Sequence, residues 1–277
     1  MGIDSLTRAA QGAVGSTLSE LVWYTLAASA AYLFFYVAFR TRLRHRRASP
    51  RDPHAGQIRR EVAHSLRSIL VFGVVTLFVL LAARAGWTRL YGRVEQYGWP
   101  WFFASIAVMV VVHDAYFYWT HRLMHHPRVF RLVHRAHHRS TSPTPWAAYA
   151  FGPVEAVVQA GIGPLVVFTI PTHGAAFAAF MAWQIGFNVL GHCGYEIFPR
   201  WFLRTPLGWV LNSVTHHAQH HEAFRANYGL YFNVWDRLMG TNHPDYRARF
   251  EQATAGGAAT PPEAPTADEP QPLTAAW

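Results

Sequence analysis

The chain has 277 residues, 51% of them hydrophobic and 15% aromatic, which is ample apolar material for one large or two small folded units. Its 24 basic residues outnumber 15 acidic ones and are all Arg; they crowd between apolar runs and form no stripe interleaved with aromatics, which fits anionic lipid headgroups and argues against nucleic acid. The single cysteine, Cys193, excludes an internal disulfide and any metal site needing two thiolates, so a metal here must be held by nitrogen or oxygen.

Residues 21–39 run without a charge, close to the ~20 residues that cross a hydrocarbon core as a helix. The run is long for a signal peptide, lacks a basic region just before it and is followed by Arg, so it reads as a first membrane span. Residues 40–60 carry eight Arg against one acid, Asp52, and the positive-inside rule assigns them to the cytoplasm. A second apolar run, 69–83, is extended by Leu66 and Ser68 while Arg67 reaches to the interface. The link 87–101 holds Trp87, Tyr91, Tyr97, Trp99 and Trp101, side chains that prefer the headgroup level. A third run, 102–112, continues helically into His113 and Asp114 and returns the chain to the Arg-rich side. Residues 154–170 and 174–190, broken by Pro171, have the length of a helical hairpin that enters the bilayer and returns. Beyond about Phe250 the chain is rich in Ala, Thr and Pro and is expected to be disordered.

These elements predict an all-α, polytopic membrane protein with about four transmembrane helices and a cytosolic helical cap. The expected division is an anchor at 1–100, a catalytic domain at 101–251 and a disordered tail at 252–277. Exclusive use of Arg fits a high-GC bacterial coding bias, and hence a bacterial inner membrane.

Of 17 histidines, six lie in HRLMHHPRVFRLVHRAHH (121–138) and four in HHAQHH (216–221). His121 and His125 are spaced i, i+4, while His134, His137 and His138, like His217, His220 and His221, are spaced i, i+3, i+4, so each group is expected to project from one helical face. Of the doubled histidines, His126 and His216 point about 100° away from their neighbours on an ideal helix, which favours His125 and His217 as ligands. His192 stands alone near the end of the last hydrophobic hairpin. Eight or nine imidazoles suit two metal ions with a position open on each, and a structural zinc would need only four ligands. Asp114, two turns before His121, is expected to orient an imbidazole-type ligand through its second nitrogen, with Asp236 and Glu222 as weaker candidates. His45, His54, His64, His173 and His243 read as surface or interfacial residues, and His113 as either a supporting or a simply hydrogen-bonded side chain.

The stretch DAYFYWTHRLMHHPRVFRLVHRAHH, followed by PTPWAAYAFGPVEA, is similar to the sterol C-5 desaturase branch of the fatty acid hydroxylase and sterol desaturase superfamily of membrane di-iron enzymes. HHAQHHEAFRANYGLYFNVWDRLMGT resembles that superfamily's terminal signature, and the likeness spans residues 114–241. The resemblance implies two irons held by His121, His125, His134, His137, His138, His192, His217, His220 and His221, with zinc as a surrogate in purified protein. Where some relatives carry His-x3-His on the last hairpin this chain has Asn188 before His192, so Asn188 is expected to act weakly or through water. The implied activity is oxygen-dependent hydroxylation or desaturation of a lipid or sterol-like C–H bond. Trp146 to Phe151 and Trp183 to Phe187 are candidates for lining a lipid channel. No GxGxxG follows a strand and no CxxCH is present, so electrons are expected from an external ferredoxin or cytochrome. The competing reading, a metal-handling or transporting membrane protein, calls for polar ligands near mid-membrane.

Overall fold

The computed structural model describes residues 3–49 and 51–255. Helix α1 (Ile3–Tyr32) continues through a π-helical turn, Leu33–Ala38, and α2 (Ala55–Arg84) returns alongside it. The pairing is antiparallel: the Tyr24 hydroxyl meets Ser65 Oγ at 2.9 Å, while Thr17 lies against Gly73 and Leu80 against Gly12. A Cβ on Gly73 would run into the Thr17 hydroxyl, so glycine there permits the close approach of the two helices.

Helix α3 (Gly98–Met124) is followed by the short α4 (Pro127–Val133), α5 (Pro153–Ala160) and α6 (Ile162–Thr169), then by α7 (Gly174–Gly191). Among the described residues four helices are long and apolar enough to cross a membrane, Ile3–Ala38, Ala55–Arg84, Gly98–Met124 and Gly174–Gly191, and the protein is a multi-pass membrane protein. Proline opens both α4 and α5, where its missing N–H costs nothing. The interior between α3, α6 and α7 is built from Met109, Val166, Val167 and Phe180. Strands β1 (Leu90–Tyr91) and β2 (Thr172–His173) pair in parallel, and the Trp101 indole donates to Pro171 O at 2.9 Å, tying together the links at the end remote from the clustered histidines.

The remaining elements, α8 (Pro206–Val210), α9 (Val214–Ala223), α10 (Val234–Leu238) and α11 (Tyr246–Thr254), gather at the histidine-bearing ends of the long helices. They are fastened there by side chains. Buried Glu196 accepts from Thr215 N–H and its hydroxyl at 2.9 and 2.7 Å, and Arg46 Nε donates to Glu196 O at 2.7 Å.

Two boundaries differ from those read in the sequence. The first helix starts at Ile3, well before residue 21: Asp4, Arg8 and Glu20 interrupt the hydropathy, but Ala9 and Ala13 form a small buried face that packs within the helical pair. At the other end α11 runs to Thr254, past the expected start of the tail, and residues 256–277 lie outside the described residues.

Candidate metal centre

The histidines are delivered by five elements. His121 sits in the last turn of α3 and His125 just beyond it; His134 ends α4, and His137 and His138 lie on a 3-10 turn, His137–Arg139. His192 follows α7, and α9 carries His217, His220 and His221. Ser213 starts α9 by accepting from His216 N–H at 3.3 Å, and Phe224, at φ 62°, ends it.

These residues form two groups. His121, His125, His134, His138 and His220 make one, and His137, His192, His217 and His221 the other, with the ligand atoms of each group within 4.8 Å of one another. The nine residues singled out in the sequence are brought together, but not as three faces. His134 and His138 serve the five-histidine group while His137 serves the other; His217 and His221 join the four-histidine group while His220 crosses to the first. The i, i+4 pairs stay together; on α9 the i+3 residue, His220, lies about 300° round the helix from His217 and so about 60° off its face, while His137 and His138 lie on the 3-10 turn, where consecutive side chains point about 120° apart.

Within the groups the Nε2 atoms converge. His121 faces His134 at 3.0 Å, and His138 faces His125, His134 and His220 at 3.1 Å each. His217 faces His192 at 2.9 Å and His221 at 3.1 Å. Behind them the other nitrogens are tethered: Nδ1 of His121 to Tyr228 O at 2.8 Å, of His220 to Ala226 O at 2.7 Å, of His192 to Asn188 O at 2.8 Å, and of His134 to Glu155 Oε1 at 2.7 Å.

This arrangement tests whether a metal fits. A peptide carbonyl only accepts, so Nδ1 of His121, His192 and His220 carry the protons and their Nε2 atoms present lone pairs. His138 Nε2 faces three other Nε2 atoms at 3.1 Å, and one proton can serve only one of these contacts, so a cation among them makes the cluster favourable. Burial, reinforced by the neighbouring rings, holds His134, His137, His138, His217, His220 and His221 well below the usual imidazole range, and burial brings His192 to about 4. Neutral imidazole is the ligating form, and an all-nitrogen set suits iron, zinc, copper or nickel.

The carboxylate that meets one of these imidazoles is Glu155 on α5; Asp114, expected in that role, meets none of them. Asp114 Oδ1 instead accepts the Tyr231 and Phe232 backbone N–H groups at 2.8 and 3.0 Å, fastening the 231–232 segment to α3. Glu155 lies 21 positions from His134, beyond any helical spacing argument; its only sequence signal was the PVEA segment at the start of α5. Asn188 acts through its backbone: its carbonyl holds His192, while its side-chain Nδ2 donates to Ala148 O at 2.9 Å. Asp236 accepts Tyr228 N–H, Gly229 N–H and the Thr241 hydroxyl at 2.9, 2.7 and 2.7 Å, shaping the loop whose Tyr228 carbonyl tethers His121. Glu222 pairs with Arg249 at 3.0 Å.

The other histidines fall outside both groups. His216 faces Asp236 at 3.4 Å, and His126 accepts from Arg128 N–H at 3.3 Å to start α4. His54 and His173 cap helices, His64 Nδ1 lies 3.2 Å from Phe151 O, and His113 Nδ1 bonds the Tyr231 hydroxyl at 2.9 Å.

A cavity of about 900 Å³ runs between α1, α2, α3, α6 and α7 up to this centre. At its inner end Phe117 packs on His121 at 4.8 Å, Phe151 on His137 at 5.3 Å, and Asn188 is the residue that holds His192. Of the expected channel residues, Tyr149, Phe151, Gln184 and Ile185 line it, whereas Trp183 and Phe187 pack on Tyr231.

Residues 106–241 match the family model described as fatty acid hydroxylase. A Delta(7)-sterol 5(6)-desaturase of Aspergillus fumigatus is 34% identical over 255 residues, covering 81% of this chain and 75% of the relative. A second Delta(7)-sterol 5(6)-desaturase, from Gibberella zeae, is 35% identical, covering 76% of this chain and 63% of its own length. The lathosterol oxidase of Mus musculus is 30% identical, with coverages of 68% and 62%, so the chain spans somewhat under two thirds of these last two relatives. No solved structure matches the chain.

Proposed function

This chain belongs to the fatty acid hydroxylase family of membrane oxidoreductases, and we propose that it is a two-iron oxygenase that uses dioxygen and external electrons to hydroxylate or desaturate a C–H bond of a sterol-like lipid. The observation that carries this reading is the meeting of two groups of neutral imidazoles, their Nε2 atoms facing one another, with the inner end of a cavity between membrane helices.

Each group would hold one metal, His121, His125, His134, His138 and His220 the first and His137, His192, His217 and His221 the second. Bound iron would supply the activation of oxygen and the removal of hydrogen from an unactivated carbon. The chain's own residues position and shield. The carbonyls of Tyr228, Ala226 and Asn188 fix ring orientation and keep Nε2 of His121, His220 and His192 free of a proton, and Glu155 fixes the orientation of the His134 ring. Phe117 and Phe151 place hydrocarbon between the ligands and the cavity, which excludes water from the reacting carbon. A lipid reaches this space from the bilayer without crossing water.

The Arg-rich segment 40–60 supports a cytoplasmic placement of the centre in a bacterial inner membrane. Exposed Arg128, Arg131, Arg135 and Arg139, on the elements that carry the histidines, suit an acidic ferredoxin or cytochrome as electron donor. Residues 1–100 serve as the anchor and 101–251 as the catalytic unit. Metal transport is the poorer reading, because the histidines cluster at helix ends and not along a path through the bilayer.

The test is metal content of the detergent-purified protein beside a His137→Ala, His138→Ala variant, which removes one ligand from each group. About two irons per chain, falling clearly in the variant, together with oxidised sterol in a supplied host, is the expected result. A folded protein that binds no metal above background overturns the proposal.

A further inference from the structure

The cavity holds a polar cluster that the metal centre does not use. Tyr149 is buried, stacked on Tyr24 with ring centroids 4.7 Å apart and edge-on to Phe72 at 5.3 Å. This packing fixes its hydroxyl 2.7 Å from both Glu20 Oε1 on α1 and Gln184 Oε1 on α7. All three residues line the cavity, whose other walls are mostly aliphatic and aromatic. A carboxyl and an amide inside apolar membrane helices are costly to keep, and such groups mark places where something polar is bound or moved.

Counting hydrogens says what that something is. The Tyr149 hydroxyl has one proton, so it donates to one neighbour and accepts from the other. If it donates to Glu20, the Gln184 amide turns its NH2 toward the tyrosine. If it donates to Gln184, Glu20 carries a proton and donates it. In both arrangements a Glu20 carboxyl oxygen is left as an acceptor without a protein partner among the described residues. In both arrangements the Gln184 amide also keeps an N–H to donate, so the complement is a group that donates to Glu20 and can accept from Gln184. An ether, ester or ketone cannot donate, a phosphate or sulfate headgroup would be repelled by a carboxylate, and an ammonium is costly to bring through an apolar cavity and cannot accept. A neutral hydroxyl meets every requirement.

We propose that Glu20, Tyr149 and Gln184 form the recognition site for the hydroxyl group of a lipid substrate, holding its apolar body in the cavity that ends at Phe117 and Phe151. The inference rests on the oxygenase reading for the word substrate, but the binding site itself does not depend on it. A hydroxyl can come from a polycyclic alcohol or from a long-chain alcohol, and rigid and flexible bodies are separated by the choice of probe.

The experiment uses the full chain in lipid nanodiscs and measures binding by competition with a radiolabelled lipid. Two probe pairs are compared, a 3-hydroxysterol with its 3-methyl ether and hexadecanol with its methyl ether. The wild type is expected to prefer the alcohol over the ether about 10- to 100-fold in one pair, the value of a hydrogen bond to a charged or strongly polar buried group. The preferred pair identifies the substrate body. Glu20→Leu is expected to bring the ratio to within about threefold of one, and Gln184→Leu and, separately, Tyr149→Phe to reduce it, because they position the carboxyl that accepts the hydroxyl proton. If Glu20→Leu does not fold, the other two variants carry the test. No preference in either pair, or a ratio unchanged in every folded variant, overturns the inference. Iron content is read on the same samples: two irons without alcohol preference sinks this inference alone, and alcohol preference without metal sinks the oxygenase reading alone.

Discussion

The two halves of the metal centre use the same ligand chemistry but are held differently. In the five-histidine half, three rings are tethered from behind, His121 and His220 by loop carbonyls and His134 by Glu155, and the ring of Tyr228 lies 5.2–5.9 Å from His121, His125 and His220. The four-histidine half has one ligand fewer and draws its tether for His192 from the helix backbone at Asn188, a residue that also borders the cavity. The contrast separates a group of imidazoles held by loop carbonyls and Glu155 from one held at the end of a membrane helix. It also shows a division of labour in the chain: the loop after α9 serves the first half, and the end of α7 serves the second.

Removing two ligands from one half gives the largest expected effect. The pairs His134→Ala, His138→Ala and His217→Ala, His221→Ala should each lower metal content from about two to about one per chain and cut product formation more than about a hundredfold. Mass spectrometry of the purified variants checks this, and loss of both metals in either variant would show that the halves are not separable.

Second in size is the tether of the five-histidine half. Glu155→Gln should weaken metal binding in that half about 10- to 100-fold while leaving the other half loaded, as read by chelator titration. Asn188→Ala makes the opposing case: because the contact to His192 comes from the backbone carbonyl, which every residue has, affinity in the four-histidine half should change by less than about threefold. A large loss there would mean that the Asn188 side chain reaches a metal.

The smallest effect concerns the frame. Tyr118 is fully buried and its hydroxyl lies 2.9 Å from Thr241 Oγ1, which in turn donates to Asp236. Tyr118→Phe should cost about 1 kcal/mol and lower Tm by a few degrees with metal content unchanged, measured by thermal unfolding in detergent. A drop in metal content would instead tie the Asp236 loop directly to ligand positioning.

Much of the centre was legible in the sequence because imidazole clusters at helical spacing are rare and chemically specific. The long apolar runs similarly declared the spans, since the bilayer imposes length and hydropathy locally. The start of α1 was not legible: its first turns hold charges and small residues, and what joins them to the span, the burial of Ala9 and Ala13 and the approach of Leu80 to Gly12, comes from the tertiary structure. Asp114 misled for a related reason, since helical periodicity says which residues share a face but not which distant backbone arrives to meet them.

The sequence by itself determined the ligand type, the absence of thiolate chemistry, the membrane class and the nine histidines that converge. The tertiary structure decided how those nine divide between two groups, that Glu155 and three backbone carbonyls orient them, and that Glu20, Tyr149 and Gln184 meet in one cavity. The reason is range. Composition and periodicity act over a few turns of one helix, whereas the groups that set proton position, ligand partition and substrate contact come together from segments up to 129 residues apart.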